Sequence, residues 1–161
     1  MGLLMGSFAR IYLDTNIFIL AFEKKDASGA MLSNLFAVGK NFSNRLFVTS
    51  ELTLSELLVV PYRANDATFI EAYASLLQSN EWLEVHPVER SVLVQAAFLR
   101  SRKQGLKLPD AIHLSTAIGT RCSHILTADA GINEQAFQAN ELGVLRPDAP
   151  TLQSLIESLG R

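Results

Sequence analysis

Short β-rich runs separated by helix-length stretches constrain this chain more than any other feature. "RIYL" (10–13), "LFVTS" (46–50), "LEVHPV" (83–88) and "HILT" (124–127) read as strands, and "GVLRP" (143–147) as a weaker fifth. Two helices fit between the first pair, around 15–25 and 28–41. "SELTLSELLVVPYR" follows the second strand as a helix that Pro61 should end or kink. Over 66–79, Phe69, Ile70, Tyr73, Leu76 and Leu77 recur at helical spacing. Val92, Ala96 and Leu99 share one side of "ERSVLVQAAFLRSRKQG", which Gly105 suits as a stop, and Pro109 suits the first turn of "PDAIHLSTAIG". Strands that alternate with helices are joined by crossovers and pair in parallel, so both faces of the sheet must be covered. The expected fold is α/β, a three-layer α/β/α sandwich around a five-stranded parallel sheet.

Composition suits one such unit. With 161 residues, 48% apolar and 19% charged, the chain can bury a single sizeable core, whereas two domains would both be thin. We expect one domain over 10–161, preceded by an N-terminal extension over 1–9 in which Met5 is an alternative start. That extension lacks basic residues ahead of its short apolar run, unlike a signal peptide, and no apolar stretch reaches the length of a membrane span. The single cysteine, Cys122, leaves no internal disulfide and no multi-cysteine zinc site, and suits a packed position in a reducing cytoplasm. A net charge of −2 argues against coating nucleic acid through overall charge and leaves room only for a local basic patch.

Sixteen acidic residues are present, and most read as solvated helix surface. Four do not. Asp14 ends the first strand in "YLDTNIFI"; Glu56 sits in the apolar run "LTLSELLVV"; Asp110 opens a helix in "KLPDAIHLSTAI"; Asp129 follows the fourth strand in "ILTADAGI". Singly, each has a plain reading. Asp14 could cap the next helix, Asp110 could favour a helix dipole, and Asp129 could cap a helix after Gly131. Glu56, mid-helix among apolar neighbours, needs a partner such as Arg63 or a cation.

Topology links the four. In a parallel α/β sheet ligands bind outside the carboxyl ends of the strands. Asp14 and Asp129 follow strands, Asp110 starts the helix that runs back to the fourth strand, and Glu56 lies in the first two turns after the second. Four carboxylates brought to one edge repel one another unless a cation joins them. Oxygen ligands without cysteine or paired histidine favour Mg²⁺ or Mn²⁺ over zinc.

"YLDTNIFI", "LTLSELLVVP", "LKLPDAIHLSTA" and "ILTADAGI" resemble, in order and spacing, the successive signatures of PIN-domain ribonucleases, especially the VapC-type toxins of bacterial toxin–antitoxin pairs. The resemblance covers roughly residues 10 to 147. It implies a PIN-like five-stranded parallel sheet between helices and Mg²⁺- or Mn²⁺-dependent hydrolysis of single-stranded or looped RNA, leaving 5′-phosphate and 3′-hydroxyl ends. The family's acidic positions would be Asp14, Glu56, Asp110 and Asp129, with Asn16 and Thr127 orienting ligands or water behind them. Asp14 and Asp110 would hold the principal ion, Glu56 would help fix it or orient the attacking water, and Asp129 would complete a second, weaker site. Ala130 and Gly131 stand after the fourth acid, where many relatives carry a basic or bulky residue. The resemblance also implies a small antitoxin that inserts an Arg or Lys among the carboxylates, with region 15–41 and "LLVVPYR" as candidates for its groove, and a homodimer.

RNA would be attracted locally by Arg100, Arg102, Lys103 and Lys107, which otherwise read as a solvated helix end. None of the three histidines is expected to be catalytic, and His113, between Ile112 and Leu114, reads as a structural residue. Other functions remain. A haloacid-dehalogenase-like phosphatase also ends its first strand in Asp, but needs a second acid two residues on, where this chain has Asn16. PIN domains also serve in RNA maturation, and an inactive binding module could share the fold without needing all four acids.

Overall fold

The computed structural model describes residues 10–41, 45–133 and 142–160. The expected extension over 1–9, with Met5, lies outside these residues, as would most of a helix after Gly131. The strands are β1 (Ile11–Leu13), β2 (Phe47–Ser50), β3 (Leu83–His86), β4 (His124–Leu126) and β5 (Gly143–Leu145). They form one five-stranded sheet in the order β3-β2-β1-β4-β5, with every neighbouring pair parallel. The described helices are α1 (Thr15–Glu23), α2 (Ala27–Gly39), α3 (Glu51–Arg63), α4 (Ala67–Leu76), α5 (Arg90–Arg102), α6 (Leu108–Gly119) and α7 (Ala149–Leu159).

Side chains alternate across a strand, and here successive residues enter two separate apolar clusters. Ile11, Leu13, Phe47 and Leu126 pack with Leu32, Leu35, Leu57, Leu152 and Leu155 on one face. Tyr12, Val48 and Ile125 meet Val92, Ala96, Leu114 and Ala117 of α5 and α6 on the other. These are the three expected layers. β1 and β2 are buried throughout, as a sheet covered on both faces requires, while edge strand β3 buries Leu83 and Val85 and leaves Glu84 and His86 partly open.

The strand order decides where a site can form. From β1 the chain moves outward through β2 and β3, then returns to β4 on the other side of β1. β1 and β4 therefore flank the point where the winding reverses, and a crevice opens there beyond their carboxyl ends. Leu13 pairs with Leu126, so Asp14 and Thr127 emerge side by side.

Boundaries differ from expectation in ways that have local causes. α1 ends at Glu23 and α2 begins at Ala27 because Asp26 caps the second helix, accepting from the Gly29 N–H at 3.0 Å. Gly29 itself is tightly placed, since a Cβ there would come within 2.0 Å of the Lys24 carbonyl oxygen. Pro61 does not end α3; it is buried inside the helix, which runs on to Arg63. Gly105 adopts a φ of +88° just beyond α5, a conformation that suits the glycine stop. α7 lies beyond the expected elements, although Asp148 as cap and the spacing of Leu152, Leu155 and Leu159 announce it.

Candidate active site at the carboxyl edge of the sheet

Asp14 is the first residue past β1, in extended conformation, and its side chain caps α1. Oδ1 accepts from the Thr15 N–H at 2.8 Å, and Oδ2 accepts from Asn16 Nδ2 at 3.0 Å and Thr127 Oγ1 at 2.6 Å. Capping accounts for only one of these bonds. The other two tie the β1–α1 junction to the segment after β4, and the residue is 4% exposed. Asn16 works in both directions, because its Oδ1 also accepts from the Ala128 N–H at 3.0 Å.

Glu56 projects from the second turn of α3. Its partners are Thr15 Oγ1 at 2.7 Å and His113 Nε2 at 2.6 Å rather than Arg63, and both bonds fall on Oε1. Burial pushes this carboxyl up, but the His113 and Thr15 hydrogen bonds outweigh it and hold the group below the usual carboxylate range. Thr49 and Thr53 floor the same corner: Thr49 Oγ1 donates to the Leu13 carbonyl at 2.9 Å and lies 2.8 Å from Thr53 Oγ1.

The structure places His113, read as structural, against two of the four acids. Its Nε2 lies 2.6 Å from Glu56 and 3.6 Å from Asp14, and its Nδ1 lies 2.7 Å from the hydroxyl of the buried Tyr12. Three residues after Asp110, it shares that residue's helix face, and this spacing was the available signal.

Asp110, in the first turn of α6, accepts no hydrogen bond from the described residues. Burial raises its pKa, the charges of Asp129 and Asp14 raise it further, and His113 and Lys107 only partly oppose them. Asp129 belongs to the turn after β4: its N–H donates to Thr127 Oγ1 at 3.0 Å, and its Oδ1 accepts from the Gly131 N–H at 2.8 Å. A Cβ on Gly131 would sit 3.1 Å from that oxygen, so the glycine after the fourth acid leaves the carboxylate room.

Arg146, which sequence reasoning passed over, ties this turn down. It directly follows β5 and donates from Nη1 to the carbonyls of Asp129 at 2.7 Å and Thr127 at 3.2 Å, and from Nη2 to that of Ile132 at 2.6 Å. The basic cluster divides. Arg100 Nε is held by the Leu106 carbonyl at 3.1 Å, and Arg102 lies over the Phe98 ring at 5.2 Å. Lys107 immediately precedes α6, and its charge reaches Asp110.

The four acids thus come to one edge: Thr15, Asn16, His113 and Thr127 link Asp14, Glu56 and the Asp129 backbone, and Asp110 feels the charges of Asp14 and Asp129. Their carboxylates offer only oxygen, and burial together with the Asp129 and Asp14 charges raises the pKa of Asp110. Among the described residues no group of three His, Cys, Asp or Glu side chains is arranged to hold a metal ion. Mg²⁺ does not require one, since it keeps several waters and commonly takes one or two carboxylates plus substrate phosphate.

The model of the PIN domain matches residues 11–138. The chain belongs to the PIN-domain family. Its fold is shared with solved structures of low sequence identity. A toxin–antitoxin complex from Klebsiella pneumoniae is 22% identical with a TM-score of 0.59, covering 86% of this chain and 98% of that one. VapC20 of Mycobacterium tuberculosis, a sarcin–ricin-loop-cleaving toxin, is 20% identical with a TM-score of 0.60, covering 74% and 90%. VapBC2 from Rickettsia felis, bound to a DNA fragment from its promoter, is 20% identical with a TM-score of 0.62, covering 86% and 98%. No curated protein matches the sequence. No described helix of this PIN domain is long and apolar enough to cross a membrane.

Proposed function

We propose that this PIN domain is a Mg²⁺- or Mn²⁺-dependent endoribonuclease and the toxin of a cytoplasmic type II toxin–antitoxin pair. The observation that carries the reading is the convergence of Asp14, Glu56, Asp110 and Asp129 on the β1/β4 crevice, with the ionised form of Asp110 disfavoured by burial and by its neighbours' charge. Asp14 and Asp110 hold the principal ion, Glu56 offers the oxygen not engaged by Thr15 and His113, and Asp129 contributes to a second, weaker position. A bound Mg²⁺ or Mn²⁺ supplies Lewis acidity toward the phosphodiester and offsets the charge of the transition state.

The chain's own residues do the positioning. Asn16 and Thr127 orient Asp14, Arg146 fixes the turn that carries Asp129, and Lys107 offers a cation to the RNA backbone beside Asp110. Arg100 and Arg102 play a lesser part in RNA contact, because the Leu106 carbonyl and the Phe98 ring already hold them; Lys103 adds charge at the same helix end. The Asn at position 16 leaves no second acid for an aspartyl-phosphate mechanism, and its amide already serves Asp14 and Ala128.

An antitoxin belongs to this reading because the Klebsiella and Rickettsia relatives were solved as such complexes. Phe22, Phe69, Tyr73, Leu76 and Trp82 line a groove of about 470 Å³ beside α1 and α4, to which the expected segment 15–41 contributes Phe22 and "LLVVPYR" contributes nothing, although its Val59, Val60 and Tyr62 are exposed. An amphipathic partner segment with apolar anchors fits such a groove. The resemblance to VapC-type toxins brings a homodimer into the same proposal. Expression without a partner tests the whole reading: growth should arrest, and Asp110→Asn should relieve the arrest. Harmless overexpression of a protein that cleaves RNA in vitro would favour an RNA-maturation role instead.

A further inference from the structure

His113 has no part in the chemistry above, yet its Nε2 lies 2.6 Å from Glu56 and 3.6 Å from Asp14. We infer that His113 is a positioning residue that selects which oxygen of Glu56 faces the cleft, and that Tyr12 sets its ring for this task. The inference rests on the nuclease reading, since it concerns how Glu56 is presented to the metal.

Geometry makes the argument. His113 is 1% exposed, and its two ring nitrogens have different neighbours. Nδ1 lies 2.7 Å from the Tyr12 hydroxyl and Nε2 lies 2.6 Å from Glu56 Oε1. Tyr12 is fully buried in β1, so its hydroxyl is held against Nδ1 away from solvent. A phenol that donates to Nδ1 leaves the ring proton on Nε2, pointing at Glu56. Thr15 Oγ1 donates to the same carboxylate oxygen at 2.7 Å. With both donors on Oε1, Oε2 has no partner among the described residues, and the Glu56 side chain is 34% exposed. A glutamate in mid-helix has several rotamers open to it. Two donors on one oxygen remove that freedom and leave the other oxygen free for a ligand.

A side chain that merely filled space would be replaceable by anything of similar volume. A positioning residue is not. The amide nitrogen of Gln reaches about where Nε2 lies, whereas that of Asn reaches only to Nδ1. His113→Asn should therefore lose the hold on Glu56, and His113→Gln should keep it.

The experiment measures Mn²⁺ affinity by calorimetry on the full chain for wild type, His113→Asn, His113→Gln and Tyr12→Phe, with thermal unfolding to check each fold. Asn should weaken Mn²⁺ binding about 10- to 100-fold, the range typical for groups that orient metal ligands, and Gln should restore most of it. Tyr12→Phe should cause a smaller loss. In a Glu56→Ala background, His113→Asn should cost almost nothing further, because the group it positions is gone. Equal affinities for Asn and Gln, or a full additional loss without Glu56, would overturn the inference. If Asn at 113 unfolds the domain, Tyr12→Phe decides, and unchanged Mn²⁺ affinity there overturns it too. Absence of Mn²⁺ binding by wild type is a different failure: it would remove the nuclease reading itself.

Discussion

Thr15 joins Asp14 and Glu56 into one side of the site, Asp110 and Asp129 make up the other, and the protein treats the two differently. On the first side five donors fall on two carboxylates: Thr15 N–H, Asn16 and Thr127 on Asp14, and Thr15 and His113 on Glu56. Hydrogen bonds to an ionised group favour that ionised form, so this side is stable as built. On the second side Asp110 has no donor among the described residues and is pushed up by burial and by its acidic neighbours. One side is organised by the fold. The other carries like charges that His113 and Lys107 only partly offset. Pre-set ligands beside a repelled one are what a site needs if it is to fold without metal and still bind it.

The largest expected effect treats both sides alike. Asp14→Asn and Asp110→Asn should each lower Mn²⁺-dependent RNA cleavage by at least about 100-fold, the scale of losing one charge-stabilising group in an active site. Retained cleavage in both purified variants would dissolve the four-acid assignment.

Stability should then separate them. Relief of mutual repulsion alone would make either neutralisation harmless or helpful. The structure restricts that expectation to Asp110. An Asn amide at position 14 would face donors it cannot satisfy, at a cost of about 1–3 kcal/mol, while Asp110→Asn should raise the Tm of the metal-free protein by about 1–2 °C. The pH dependence has opposite signs as well. Asp110 ionises less readily in the folded chain, so its contribution is fully present below its ordinary value of 3.8 and is lost as pH rises through its raised folded pKa. The advantage of Asp110→Asn should therefore vanish in acid. Glu56 contributes stability above its ordinary value of 4.5 and loses it as pH falls through its lowered folded pKa. The cost of Glu56→Gln should fade over that lower range. Melting curves from pH 3 to 8 on metal-free protein check both, and parallel curves for the two variants would erase the contrast.

A smaller effect tests how the second side is held. Arg146→Met removes three hydrogen bonds from the turn carrying Asp129 and should lower cleavage by about 10-fold, in the range for supporting groups. An unchanged rate would show that Asp129 needs no such support. The smallest effect lies in RNA contact. Lys107→Ala should reduce the slope of log affinity against log salt by about 0.7, the value of one phosphate contact to a single strand, and Arg102→Ala by less. Equal slopes for wild type and Lys107→Ala would return that residue to ordinary surface.

The sequence carried the fold well where periodicity was strong. β1 and β2 are buried throughout and β4 at Ile125 and Leu126, and the alternation of such runs with helices made the parallel sheet and its carboxyl edge readable. The four acids stood out because carboxylates next to apolar runs need a reason. What remained hidden were contacts between residues far apart in the chain. Glu56 and His113 are separated by 57 positions, Tyr12 and His113 by 101, and no local pattern announces such a pair. Arg146 was invisible for the same reason: its partners are backbone carbonyls, which any sequence supplies. α3 was readable to its last residue, Arg63, although Pro61 lies inside it two residues before that end.

The central claim is that this cleft binds a divalent cation between its organised side and its unsatisfied one. Crystals soaked in Mn²⁺ test it directly through anomalous scattering at the manganese edge. The account predicts a peak between Asp14 and Asp110, lost in crystals of Asp110→Asn. A cleft without manganese, in crystals of protein that cleaves RNA in the same Mn²⁺ solution, would contradict it.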